Sequence, residues 1–280
     1  VDVLGLIAEI EWYWTARPFH AEVRRILEPA LRSEQKMPPV VRANALYLAT
    51  FMVGFLGDTA LALTYAEECL EIARTLDEPA VLGRALIGMG SAANFANDLA
   101  RSTPAYVEAI ELFRCSDDTT LAAVALAELG DDQLLAGNVT AAEDLLSEAL
   151  AMHRANDHPW GIAVTLGQCG HVARARGDLS RAINLFAESY TRARAIDVDR
   201  ITLGALGGMA GAMLDLGKPE LAARLVGSID AARDRLGVGR ICHARQTALI
   251  IRAIRDRLGE SDFLEAWTAG RSWDFEAAMR

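Results

Sequence analysis

One short turn recurs along this chain at a fixed interval. Gly57-Asp58, Asn97-Asp98, Gly137-Asn138, Gly177-Asp178 and Gly217-Lys218 follow one another at 40-residue steps. Eleven residues before each turn stands a leucine, at Leu46, Leu86, Leu126, Leu166 and Leu206, with Leu6 one period earlier. Seven residues before each comes a small residue (Thr50, Gly90, Gly130, Gly170, Ala210), and five after comes Ala62, Ser102, Ala142, Ala182 or Ala222. Asp77, Asp117, Asp157 and Asp197 keep the same spacing. Such a period marks an array of one supersecondary unit, each copy too small to bury its apolar face alone.

Between turns the apolar residues recur at three and four positions, as in LAAVALAELGDDQLLA (121–136) and AAEDLLSEALAMH (141–153). That is the amphipathic helical period, so each unit is two helices. The Gly or Asn of the turn takes a positive φ and ends the first helix, and the next residue caps the second. The recurrent Asp is expected to cap the following unit, where Pro79 and Pro159 fall just inside the helix and give up an N–H that has no partner there. The small residues are expected to let paired helices approach closely, with the leucines filling the space above. Pro104 predicts a late start for its helix, capped by Thr103. The fold expected is all-α: a right-handed superhelical array of about six to seven hairpins without strands. It forms one domain over 1–280, with units at about 1–36, 37–76, 77–116, 117–156, 157–196 and 197–236 and capping helices at 237–280.

Composition narrows the function. Hydrophobic residues make up 52% of 280, enough to fold. The net charge of −10 repels phosphate, which argues against direct nucleic-acid binding by this segment. Cys69, Cys115, Cys169 and Cys242 are scattered without metal or disulfide spacing, which fits a reducing cytoplasm. No apolar run approaches the roughly 18 residues of a membrane span. The chain starts at Val1 rather than Met and stops inside a helical pattern at Arg280, which predicts an excised part of something longer.

Several motifs look like chemistry. Cys169 and His171 stand about 200° apart on a helix and cannot share a metal; Cys169 falls in the column of Ala49, Met89, Leu129 and Met209 and reads as core. Arg176-Gly177-Asp178 is the repeat's own turn. Asp131-Asp132 and Asp117-Asp118 are sequence neighbours and point apart. His153, Asp157 and His158 form either a small metal site or a solvated loop. No phosphate-binding loop exists, Gly217-Lys218 being a repeat turn, and no catalytic triad can be argued. The segment is expected to be non-catalytic, with no metal or cofactor of its own.

The column pattern resembles the tetratricopeptide repeat with lengthened helices. More specifically, IEWYWTARPFHAEVRRILEPAL (10–31), the GDLSRA-type turns and the terminal LGESDFLEAWTAGRSWDFEAAM (258–279) are similar to the repeat region of bacterial LuxR-type signal-transduction NTPase regulators. Some adenylate-cyclase-linked proteins share that region. The terminal stretch is the most specific, through Leu258, Gly259, Phe263, Ala266, Trp267, Gly270, Arg271, Glu276, Ala277 and Ala278. The resemblance implies a sensor module, with ATP belonging to an upstream NTPase domain and DNA to a downstream helix-turn-helix domain, neither of them in this segment.

Stacked hairpins present their first helices on a concave face. Trp14, Asn44, Tyr47, Phe51, Arg84, Ser91, Asn94, Phe95, Asp131, His171 and Arg174 share that outward phase, a mixture suited to a peptide, a protein segment or a small-molecule effector. Phe51 and Phe95 could equally pad neighbouring units, and the arginines could be solvated surface. Trp12, Tyr13 and Trp14 read as an N-terminal cap or as a docking face for the NTPase domain. Two functions follow: an effector-binding sensor of a transcriptional regulator, or a stand-alone interaction scaffold without an effector.

Overall fold

The computed structural model describes residues 20–33, 37–116, 118–236 and 244–273. Leu6, Trp12, Tyr13, Trp14, Asp117, Cys242, Glu276, Ala277 and Ala278 lie outside the described residues. Among those described there are thirteen helices and no strand. They are α1 (His20–Arg32), α2 (Pro39–Phe55), α3 (Thr59–Arg74), α4 (Pro79–Phe95), α5 (Leu99–Cys115), α6 (Thr119–Leu135), α7 (Val139–Ala155), α8 (Pro159–Ala175), α9 (Leu179–Ala195), α10 (Asp199–Asp215), α11 (Pro219–Leu236), α12 (Ala244–Leu258) and α13 (Glu260–Arg271).

The chain divides into two compact units, Val1–Gly161 and Ile162–Arg280. In the first, α2 with α3, α4 with α5 and α6 with α7 form hairpins, and α1 lies on α2. The first helix α4 also touches the first helices α2 and α6. In the second, α9 packs on α10, α10 on α11, and α11 on both α12 and α13. From α2 to α7 and from α9 to α11, connections of three or four residues make consecutive helices antiparallel neighbours.

The turns explain the repeat. Gly57, Asn97, Gly137, Gly177 and Gly217 have φ of 87°, 60°, 85°, 78° and 72°. Each closes its helix with a pair of bonds, as when Gly177 N–H donates to Arg174 O and Asp178 N–H to Ala173 O, both at 3.0 Å. Asp58 and Asp178 then cap the second helix, accepting from the N–H of Leu61 (3.3 Å) and Arg181 (3.1 Å).

The recurrent Asp does something else than expected. Asp157 and Asp197 themselves take positive φ, 49° and 60°, and end the preceding helix by the same bond pair. The first helices begin one residue later: Val198 is the N-cap of α10 and Asp118 that of α6, accepting from Leu121 N–H at 3.0 Å. Aspartate tolerates the left-handed conformation because its short side chain hydrogen-bonds locally.

Pro104 likewise departs from expectation. It lies inside α5, which runs unbroken from Leu99, and Thr103 caps nothing. Pro104 is exposed, so the carbonyl it leaves unbonded, on exposed Ala100, faces water.

Leu46, Leu86, Leu126, Leu166 and Leu206 are all buried, and so are Ala62, Ser102, Ala142, Ala182 and Ala222. The glycines of the small-residue column act by receiving a large side chain from the second helix, sixteen residues on, rather than by bringing backbones together. A Cβ on Gly90, Gly130 or Gly170 would stand 2.5, 2.7 or 2.7 Å from Tyr106, Leu146 or Phe186. All three of those side chains are fully buried. Cys169 is only half-buried, unlike Ala49, Met89, Leu129 and Met209 in its column. No described helix is long and apolar enough to cross a membrane.

Candidate binding face on the first helices

The first helices are apolar nearly all round because each is enclosed by its hairpin partner and by the first helices beside it. Few of their residues therefore reach an open surface. Tyr47 (5% exposed) and Ser91 (5%) do not. The Tyr47 ring packs over Gly88 and meets Phe51 edge-on at 5.1 Å between centroids. Ser91 Oγ is 3.3 Å from the buried Tyr106 hydroxyl.

Phe51 and Phe95 are half-buried members of one aromatic network. Their centroids lie 6.5 Å apart at near right angles, and Phe55 links them at 5.9 and 5.6 Å. The Phe95 ring rests on Gly54 of α2. Both rings thus pad the α2–α4 contact. Asn44 is half-buried on α2. Arg84, half-buried on α4, buries its Nε without a hydrogen-bond partner and joins no ion pair among the described residues.

Asn94 points to its neighbour rather than outward. Its amide donates to Asp132 Oδ1 at 2.8 Å, while Asp132 Oδ2 accepts from Ser102 Oγ and, at 3.1 Å, from Thr103 Oγ1. Asp132 is 1% exposed and ties α4, α5 and α6 together through these three donors. Burial nevertheless pushes its carboxyl above the ordinary range, against the pull of Ser102, Asn94 and Thr103.

Asp131, next to it, is half-buried. It accepts no hydrogen bond and joins no ion pair among the described residues. Burial, with the charge of Asp132 beside it, pushes its carboxyl up to about 6. On the same face of α6, Val124 and Glu128 are half-buried and Leu135 is 44% exposed. Val124 continues the column of Asn44 and Arg84 by one further period, so the repeat itself pointed to this stripe. Asp132 had no such signal, since only the tertiary packing shows what it holds.

In the second unit, His171 is half-buried with its ring edge-on to Phe186 at 4.9 Å. Arg174 is held down: its Nε donates to Asp215 Oδ2 at 2.6 Å and its guanidinium lies over Gly211. Trp14 lies outside the described residues.

The histidine cluster is compact. His153, 1% exposed, faces His158 with Nδ1 atoms 3.1 Å apart, so one Nδ1–H donates to the other nitrogen. Burial, then the neighbouring His158, lowers His153 to about 4. Asp157 contributes its backbone bend rather than a ligand. Among the described residues no three His, Cys, Asp or Glu side chains gather closely enough to hold a metal.

No protein-family model and no curated protein matches the chain. Solved structures match its fold. A Rap protein complexed with competence and sporulation factor aligns with 88% of this chain and 76% of its own, at 11% identity and a TM-score of 0.63. A signal transduction ATPase with numerous domains and a tetratricopeptide repeat sensor, from Pyrococcus horikoshii, aligns with 97% of this chain but 42% of its own, at 14% identity and a TM-score of 0.59. The apo form of RapI aligns with 90% of this chain and 99% of its own, at 14% identity and a TM-score of 0.57. The fold is that of a tetratricopeptide-like solenoid.

Proposed function

We propose that this chain is a non-catalytic binding module that receives a peptide or protein segment on the inner face of its first helices. One contrast carries the reading. On the second helices, exposed arginines are paired across neighbouring hairpins, Arg74 with Glu108 at 3.3 Å and Arg114 with Glu148 at 2.8 Å. On the first helices Arg42 of α2 also pairs, with Glu68 of α3, but half-buried Arg84 and Asp131 have no ion partner among the described residues. Desolvated charge without an internal partner costs stability, and a fold keeps it where a ligand completes the pairing.

The module serves as the sensor of a larger bacterial transcriptional regulator of the LuxR type. An effector on the inner face biases an NTPase domain in the same protein, and ATP belongs to that domain. The sequence resemblance over 258–279 and the match to 42% of a signal transduction ATPase support this reading. A stand-alone interaction scaffold is the second reading, favoured by the match to nearly the whole of RapI. A cytoplasmic setting suits both.

A thermal-shift screen of peptides and metabolites tests the module. A ligand binding only the folded state raises Tm, and by mass action about 100 Kd of it adds roughly 2.7 kcal/mol. The shift is expected to vanish in Arg84→Ala. A ligand whose shift survives in Arg84→Ala and Asp131→Asn alike counts against the inner face.

A further inference from the structure

On the inner stripe of α6 polar and apolar groups reach the surface together. Val124, Asp131 and Leu135 lie on one face of the helix, and none of the three is buried. Three neighbouring donors are already spent. The Asn94 amide and the hydroxyls of Ser102 and Thr103 all converge on Asp132, leaving the Asp131 carboxylate half-buried with no donor of its own. A donor brought by a ligand would meet a carboxylate partly stripped of water, where a charge-assisted bond is stronger than at an open surface.

Resting on the inner-face reading above, we propose that the α6 stripe selects a basic peptide segment. A lysine or arginine of that segment pairs with Asp131, and an aliphatic side chain two residues away packs on Leu135. Spacing and charge both argue for this occupant. Asp131 and Leu135 are one helical turn apart, about 6 Å along α6 at 1.5 Å per residue. An extended segment covers that distance in two residues at about 3.3 Å each. The molecule carries a net charge of −10, which draws in basic rather than acidic partners.

The probe is a displayed library of random nonapeptides selected on the full chain, followed by fluorescence anisotropy on the enriched sequences. Enrichment of lysine or arginine two positions from an aliphatic residue is expected. Asp131→Asn, checked for an unchanged or higher Tm, should weaken those peptides by about tenfold or more, as loss of a half-buried charge pair does. Replacing the peptide's basic residue by norleucine should make its binding indifferent to Asp131→Asn. Enrichment without a basic preference, or equal affinity in parent and Asp131→Asn, overturns the proposal. If Arg84→Ala weakens such peptides while Asp131→Asn does not, the inner-face reading stands and this inference alone falls. If neither variant weakens them, or if no sequence is enriched, both fall.

Discussion

Phe186 of α9 lays its ring against Gly170 of α8, where a Cβ on the glycine would stand 2.7 Å from the ring edge. The same ring also covers Gly208 of α10, so one side chain locks three helices of the second unit. Gly170→Leu should therefore displace Phe186 and cost about 1–3 kcal/mol by overpacking. Urea unfolding measures it, and a parental midpoint would mean that the α8–α9 register is wrong. Gly170→Leu combined with Phe186→Ala should recover part of the loss, because the two share one volume.

The buried carboxylate of Asp132 gives a second test. Asp132→Ala removes the acceptor of Asn94, Ser102 and Thr103 at once and should cost about 2–4 kcal/mol, the penalty of stranding buried donors plus a small cavity. Asp132→Asn keeps the shape and one acceptor and should cost less. Equal midpoints for the two variants would show that the hydrogen bonds contribute nothing beyond volume.

Two titrating groups pull stability in opposite directions with pH. The Asp131 carboxyl is raised from 3.8 to about 6, so the fold favours its protonated form. That stabilisation is complete below the ordinary value and is lost as pH rises through about 6. His153 is lowered from 6.5 to about 4, so the fold favours the neutral ring, and its stabilisation is complete above 6.5 and lost as pH falls toward 4. Asp131→Asn should thus match the parent near pH 4 and exceed it above pH 6, on the order of 1 kcal/mol after screening of a half-buried group. A difference in Tm that does not change with pH would refute this.

Gly227 of α11 and Gly270 of α13 cross backbone to backbone: a Cβ on the first would strike the Trp267 carbonyl, and one on the second the backbone of Arg224. Here close approach does depend on glycine. Gly270→Ala should cost about 1–3 kcal/mol, since neither helix has a side chain that can yield. A parental Tm for Gly270→Ala would place that crossing elsewhere.

The repeat made the helices, their turns and the buried columns legible, because a fixed period repeats the same local chemistry at every copy. Gly270 was legible only through the resemblance of the terminal series, and its contact with Arg224 was not. The role of Asp157 and Asp197 was hidden because an aspartate before a helix is equally a cap and a left-handed terminator, and only φ separates the two. Tyr47 and Ser91 share the outward phase yet are buried, since phase on one helix says nothing of the neighbouring helices, α4 over Tyr47 and Tyr106 of α5 beside Ser91. The arginine and glutamate columns at Arg74, Arg114, Glu108 and Glu148 carry the same period but pair 34 residues apart, a spacing visible only once helices are stacked.

The most direct test of the inner face is hydrogen exchange of the full chain with and without a peptide selected on it. Slowed exchange in α2, α4 and α6 around Asn44, Arg84 and Asp131, together with loss of affinity but an unchanged or higher Tm in Arg84→Ala, is expected. Protection confined to the second helices α3, α5 and α7, with affinity intact in Arg84→Ala, would contradict it.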